Sequence, residues 1–148
     1  MEKIHKFELA GLGRHPFEFV GYFESRTKQN QPAGTCQYCG NGIAICCRVR
    51  SADGKEFIVG SDCVLKTGDA GMKIQVDKMK ARINIEKQNA QIAVNMQWVE
   101  HNREVLSKLP YGKHSLLESI EWFYKNAGRS GKIRMIREAK KAVARIAA

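Results

Sequence analysis

Cys36-Gln37-Tyr38-Cys39-Gly40-Asn41-Gly42, followed after a strand-like stretch by Gly60-Ser61-Asp62-Cys63, decides how the N-terminal half of this chain folds. Two thiols three positions apart on a tight turn form half of a tetrahedral metal site, because glycine lets the backbone N–H groups turn toward the sulfurs. Gly40 and Gly42 suit that role. The 23 residues between Cys39 and Cys63 are enough for two strands and a turn, which would bring a third thiol back to the first two. In zinc ribbons the second pair is another CxxC, but Gly60 stands at the matching position, so the fourth ligand has to come from elsewhere.

Asp53-Gly54 lies between Ile43 to Arg50 and Glu56 to Val59, a pattern that predicts two strands joined by a type I′ turn. That register sets Ala52 against Lys55, Arg50 against Phe57, Cys46 against Ser61 and Ala44 against Cys63. Cys46 then shares a face with Ala44 and Cys63, one diagonal (~7 Å) from Cys63. The expected ligand set is therefore Cys36, Cys39, Cys63 and Cys46 around a structural zinc ion, with Cys47 on the core side beside Ile43, Ile45 and Val49. A bulge would exchange Cys46 with Cys47, and Asp62, His5 or His15 are further alternatives. Five cysteines in a chain with this spacing favour metal binding over disulfides. An oxidoreductase reading is weaker, because this CxxC runs into Gly-Asn-Gly and a strand rather than a helix. Neither HExxH nor the H-x-E…C-x-x-C deaminase pattern is present, so no catalytic residues are expected and the site reads as nonenzymatic.

Upstream, Lys6 to Leu9 and Phe17 to Glu24 read as strands, and residues 26–35 as a polar loop. Downstream, Val76, Met79, Ile83, Ala90, Val94, Trp98 and Val105 fall at helical spacing and predict one long helix ending near Pro110. Ser115-Leu116-Leu117-Glu118 is a capping box for a second helix, and a third starts near Ser130. The expectation is an α+β protein: a small antiparallel sheet with a zinc-ribbon-like hairpin over 1–68, then a three-helix region over 69–148, the two forming one compact unit. Trp98 and Trp122 are expected in the core, and Tyr38 either against a base or over the metal.

The formal charge is +10, and its placement is uneven. Residues 1–68 hold nine Lys/Arg and seven Asp/Glu, residues 69–124 eight and seven, and residues 125–148 eight and one. In the last helix Arg134, Arg137, Lys141 and Arg145 share the side opposite Met135, Ile136, Ala139, Ala142, Val143 and Ile146, with Glu138 the one acid near them. An ordinary solvated helix would mix the signs as i,i+4 pairs. Arg129 and Lys132 flank the glycines of Gly128-Arg129-Ser130-Gly131-Lys132 at the helix start, where free N–H groups attract anions. These six cations, Arg129, Lys132, Arg134, Arg137, Lys141 and Arg145, are the expected nucleic-acid contacts, DNA or RNA, holding phosphate with little sequence reading. The glycine turn fails as a Walker A loop, since Asn126 and Ile133 occupy required positions, and Gly11-Leu12-Gly13 lacks a βαβ context. With no secretory leader and no apolar run near ~20 residues, a soluble cytoplasmic protein without membrane contact is expected.

Gly34-Thr35-Cys36-x-x-Cys39-Gly40 and Ser51-Ala52-Asp53-Gly54-Lys55-x-Phe57-x-Val59-Gly60-x-Asp62-Cys63 resemble a group of small zinc-ribbon-like proteins of bacteriophages and prophages. The resemblance is closest in the N-terminal half. Some of those proteins carry cysteine where this chain has Ser61, so a Cys-x-Cys pair is missing here. The resemblance implies a phage protein acting in the bacterial cytoplasm and carries no activity with it. Two functions fit: a zinc-stabilised nucleic-acid-binding accessory protein, or an effector, such as an anti-defence inhibitor, that blocks a host protein. A homodimer is compatible with either.

Overall fold

The structure, a computed structural model, describes residues 3–147. In chain order it contains α1 (Lys6–Leu9), β1 (Glu18–Glu24), β2 (Gly34–Thr35), β3 (Gly42–Ile43), β4 (Ile45–Arg50), β5 (Glu56–Val59) and α2 (Ser61–Lys66). There follow α3 (Ala70–His101), α4 (Arg103–Lys108), β6 (Pro110–Tyr111), β7 (His114–Ser115), α5 (Leu116–Asn126) and α6 (Arg129–Ala147). The fold is α+β. It divides into two compact units, residues 1–81 and 82–148, with the division inside α3.

Unit 1 is built on an antiparallel sheet of order β1-β4-β5. Phe7, Phe17 and Phe57 are buried and meet edge to face, their ring centroids 5.3 to 5.8 Å apart, with His5 and Tyr38 closing the cluster. Lys6 to Leu9 is a helical turn rather than a strand. His5 caps it, its Nδ1 accepting from the Phe7 N–H at 3.1 Å, and one turn suffices to turn Phe7 into the core. Val64 of α2 and Met72, Val76 and Met79 of α3 are also buried here.

The hairpin between β4 and β5 departs from the predicted turn. Arg50 pairs with Glu56, and Ser51 N–H donates to Lys55 O at 2.8 Å, leaving a three-residue loop, Ala52-Asp53-Gly54. Only Gly54 has positive φ (+84°) in that loop, whereas a type I′ turn needs it at both central residues. The Asp53 carboxylate is instead tied down, accepting from the Ser51 hydroxyl and the Arg14 N–H. The register therefore slips by one residue from the expected one, and Cys47 pairs with Val59.

In unit 2, α4, α5, α6 and the end of α3 surround Val99, Leu106, Leu116, Ile120, Met135, Ile136 and Ala139. Ser115 caps α5 with the full capping box to Glu118. The long helix expected to Leu109 breaks at Asn102, whose Nδ2 donates to Trp98 O at 2.8 Å. Nor is its predicted apolar face continuous: Val94 and Val105 are exposed, while Asn95, Val99 and Leu106 are buried. Trp122 is 59 % exposed rather than in the core.

Candidate metal centre and candidate nucleic-acid interface

Cys36 opens a short turn stitched by two backbone bonds: Cys36 N–H to Asn41 O at 2.9 Å and Gly40 N–H to Cys36 O at 2.8 Å. Gly40 takes φ +78° to close it. Gln37 fastens the turn to β5, its N–H donating to Ile58 O at 2.8 Å while its Oε1 accepts from Ile58 N–H at 2.6 Å. Tyr38 packs its ring against Phe7 at 5.4 Å, so this aromatic links the turn to the core. At the end of β5 the chain turns at Gly60 into α2, and Cys63 stands in the first turn of that helix, not in a strand.

These two elements bring Cys36, Cys39 and Cys63 together, their sulfurs all within 4.8 Å of one another. Cys36 and Cys63 are buried and Cys39 is exposed. Burial raises the Cys36 thiol pKa, but the N–H groups of Cys39, Gly60 and Tyr38 directed at the sulfur outweigh it and lower the net value; the Gly60 bond is 3.4 Å. Burial, together with the hydrogen bonds and charge of the two neighbouring thiols, pushes Cys63 up to about 12. Three thiols this close ionise together only if a cation joins them, and the chemistry of the set fits a thiophilic divalent ion. Two sulfurs ~2.3 Å from one tetrahedral zinc lie roughly 3.8 Å apart, within small side-chain adjustments of this arrangement.

Cys46 and Cys47 do not join the group. With the register slipped and Cys63 carried onto α2, the predicted diagonal from Cys46 to Cys63 does not form. Cys46 instead lies against Gly34, where a β-carbon would come within 2.5 Å of its sulfur, and its thiol faces Ala44 O at 3.8 Å. Cys47 faces the opposite way, 3.8 Å from Met79 Sδ in the core, and burial pushes it up to about 12. The histidine alternatives are engaged elsewhere. His5 Nε2 lies 3.3 Å from Asp69 Oδ2, and the His15 ring packs tilted against His5 and edge to face with Phe17. Asp62 lies 3.9 Å from Lys80 Nζ. A cleft of about 400 Å³ opens beside Cys39 and Cys63, bordered also by Asn41, Ser61, Asp62 and Lys66.

On α6, Arg129, Arg134, Arg137, Lys141 and Arg145 are exposed, opposite the buried Met135, Ile136 and Ala139. Lys132 is half-buried with its Nζ 5.8 Å over the Tyr124 ring, and Lys141 pairs with Glu138 at 3.2 Å. A groove of about 560 Å³ runs between α6 and the end of α3, bordered by Arg137, Lys140, Lys141, Ile133, Gln91 and Asn95. Its floor is polar. Asn95 is 2 % exposed and its Oδ1 accepts from Gln91 Nε2 at 2.9 Å and Lys140 Nζ at 3.3 Å. Lys140 also lies 5.5 Å over the Trp98 ring. Sequence reasoning missed Gln91, Asn95 and Lys140; amides within a helical repeat give no sign of a groove until the partner helix is known. Among the described residues no helix is long and apolar enough to cross a membrane.

Comparison with family models, with curated proteins and with solved structures finds no match for this chain.

Proposed function

We propose that the protein binds nucleic acid without catalysing a reaction on it, holding the phosphate backbone along α6 while a zinc ion staples the N-terminal unit. The observation that carries this reading is the exposed row Arg134, Arg137, Lys141 and Arg145, with Arg129 at its start and Glu138 its one acidic neighbour on the helix. A phosphate backbone is the complement of a one-signed row along a helix, since each neutralised phosphate releases condensed counterions. The groove beside the row adds the exposed amide of Gln91, which suits a sugar or base edge. Its setting, by the resemblance of the cysteine turns, is a bacteriophage protein in a bacterial cell.

Fluorescence anisotropy with labelled DNA and RNA oligonucleotides across a salt series tests the reading. Binding that weakens steeply with salt supports it, and absence of binding to either at low salt removes it. A second reading, blockade of a partner protein, is favoured by a different feature: an apolar cleft of about 540 Å³ bordered by Tyr111, Trp122 and Phe123, with Trp122 well exposed. In that case a nuclease-treated pull-down retains a stoichiometric partner in the wild type and loses it in Trp122→Ala.

A further inference from the structure

We infer that the Cys36/Cys39/Cys63 centre holds its cation with one coordination position open to the cleft, so that the fourth ligand comes from solution. Water occupies it at rest and is exchangeable for a small thiolate or imidazole donor. The inference rests on the metal reading of the three cysteines and is independent of the nucleic-acid reading.

The argument begins with ligand number. Zinc and its close relatives take four donors in tetrahedral sites, and a protein that supplies only three leaves the fourth place to solvent or substrate. Three sulfurs converge here, and among the described residues no fourth Cys, His, Asp or Glu ligand atom lies within 4.8 Å of all three. Cys46 is confined behind Gly34, whose missing side chain is what makes room for its sulfur. The Cys46 sulfur lies outside the 4.8 Å that the other three share, while Cys47 and Val49, on the opposite face of β4, are buried. Cys47 faces Met79, His5 faces Asp69, and the Asp62 carboxylate is 84 % exposed and directed toward Lys80.

The second part concerns access. Cys39 and Cys63 border the cleft, whereas Cys36 is 1 % exposed and closes the back of the site. At about 400 Å³ the cleft is far larger than the ~30 Å³ a water molecule occupies in the liquid. Its rim carries one cation, Lys66, one carboxylate, Asp62, and hydrogen-bonding groups on Asn41 and Ser61. Such a mouth admits a small anionic or polar donor. When a thiol enters, its proton goes to solvent, the metal-bound water leaves, and a metal–sulfur bond replaces a metal–oxygen bond; no electron is transferred.

The test uses the full chain loaded with zinc for X-ray absorption and with cobalt(II) for optical titration. The expected zinc spectrum fits three sulfurs and one oxygen or nitrogen. The expected cobalt spectrum shifts saturably on adding 2-mercaptoethanol or imidazole, and Cys46→Ser and Asp62→Asn leave both results unchanged. A four-sulfur shell, a cobalt spectrum indifferent to both ligands, or a tenfold loss of metal affinity in Cys46→Ser overturns the open position while leaving the metal centre standing. Failure of the wild-type chain to bind either ion overturns both.

Discussion

His5 stands where two carboxylates and three aromatic rings meet. Its Nδ1 caps α1, its Nε2 faces Asp69, and Glu8 and His15 lie close by. Burial holds its pKa below the usual value of 6.5, outweighing the upward pull of Asp69 and Glu8, and His15 adds to the lowering. The unfolded chain therefore binds more protons than the folded one between the folded pKa and 6.5, so stability from this group is complete above 6.5 and is lost as pH falls through the folded value. Urea unfolding at pH 7.5 and 5.5 should show lower stability at the acid end. His5→Asn keeps a capping acceptor and should reduce that pH dependence; an unchanged dependence counts against the assignment.

The cysteines separate at the same scale. Cys36→Ser should abolish tight metal binding, measured as metal per chain after gel filtration, whereas Cys46→Ser should retain about one ion per chain. Gly34→Ala should destabilise the fold by roughly 1–3 kcal/mol, because the added β-carbon meets the Cys46 sulfur and Ile43 O. Chemical denaturation of the zinc-loaded protein measures it, and a change within 0.3 kcal/mol would show that the seat yields.

At the scale of elements, sequence signals were legible where a local interaction decides the structure. The Ser115 to Glu118 capping box is one such case, and Ser115→Ala should cost about 1 kcal/mol in thermal or urea unfolding. The one-sided charge of α6 is another; β1 forms as expected, but a bulge between Phe19 and Gly21 breaks its alternation and leaves Phe23 exposed. What stayed hidden was decided between elements or by a choice among close alternatives. Asp53-Gly54 fits a two-residue turn, yet the contacts from Ser51 and Arg14 hold Asp53 at negative φ and select the three-residue loop. That single-residue difference shifted every partner across the hairpin, and with it the predicted fourth ligand. Ser61-Asp62 after Gly60 is also a helix start, but the strand reading of Cys63 concealed it. Four residues at Lys6 to Leu9 are too few for either periodicity to show, so the burial of Phe7 decided the outcome.

The whole molecule joins the unit that carries the three-cysteine group to a helical one through α3, whose ends are buried in different units and whose residues between 80 and 90 are largely exposed. The two units have separate cores, so removing the metal should act on one of them. Chelation by EDTA under reducing conditions should lower the unfolding temperature of unit 1, followed by hydrogen exchange of its amides, while the tryptophan fluorescence of unit 2, which holds both Trp98 and Trp122, keeps its midpoint. A common shift of both signals would mean that the units unfold as one.

The charge row of α6 gives the account its most direct test. Affinity for a labelled single-stranded oligonucleotide is measured from low to moderate salt, for the wild type and for the Arg134→Gln/Arg137→Gln/Lys141→Gln/Arg145→Gln variant. The four substituted cations predict that the variant binds much more weakly and that its slope in log affinity against log salt is shallower than the wild type's by about 3, at roughly 0.7 per contact. Absence of wild-type binding at low salt, or equal affinity and slope in the two proteins, would contradict the claim that α6 holds nucleic acid.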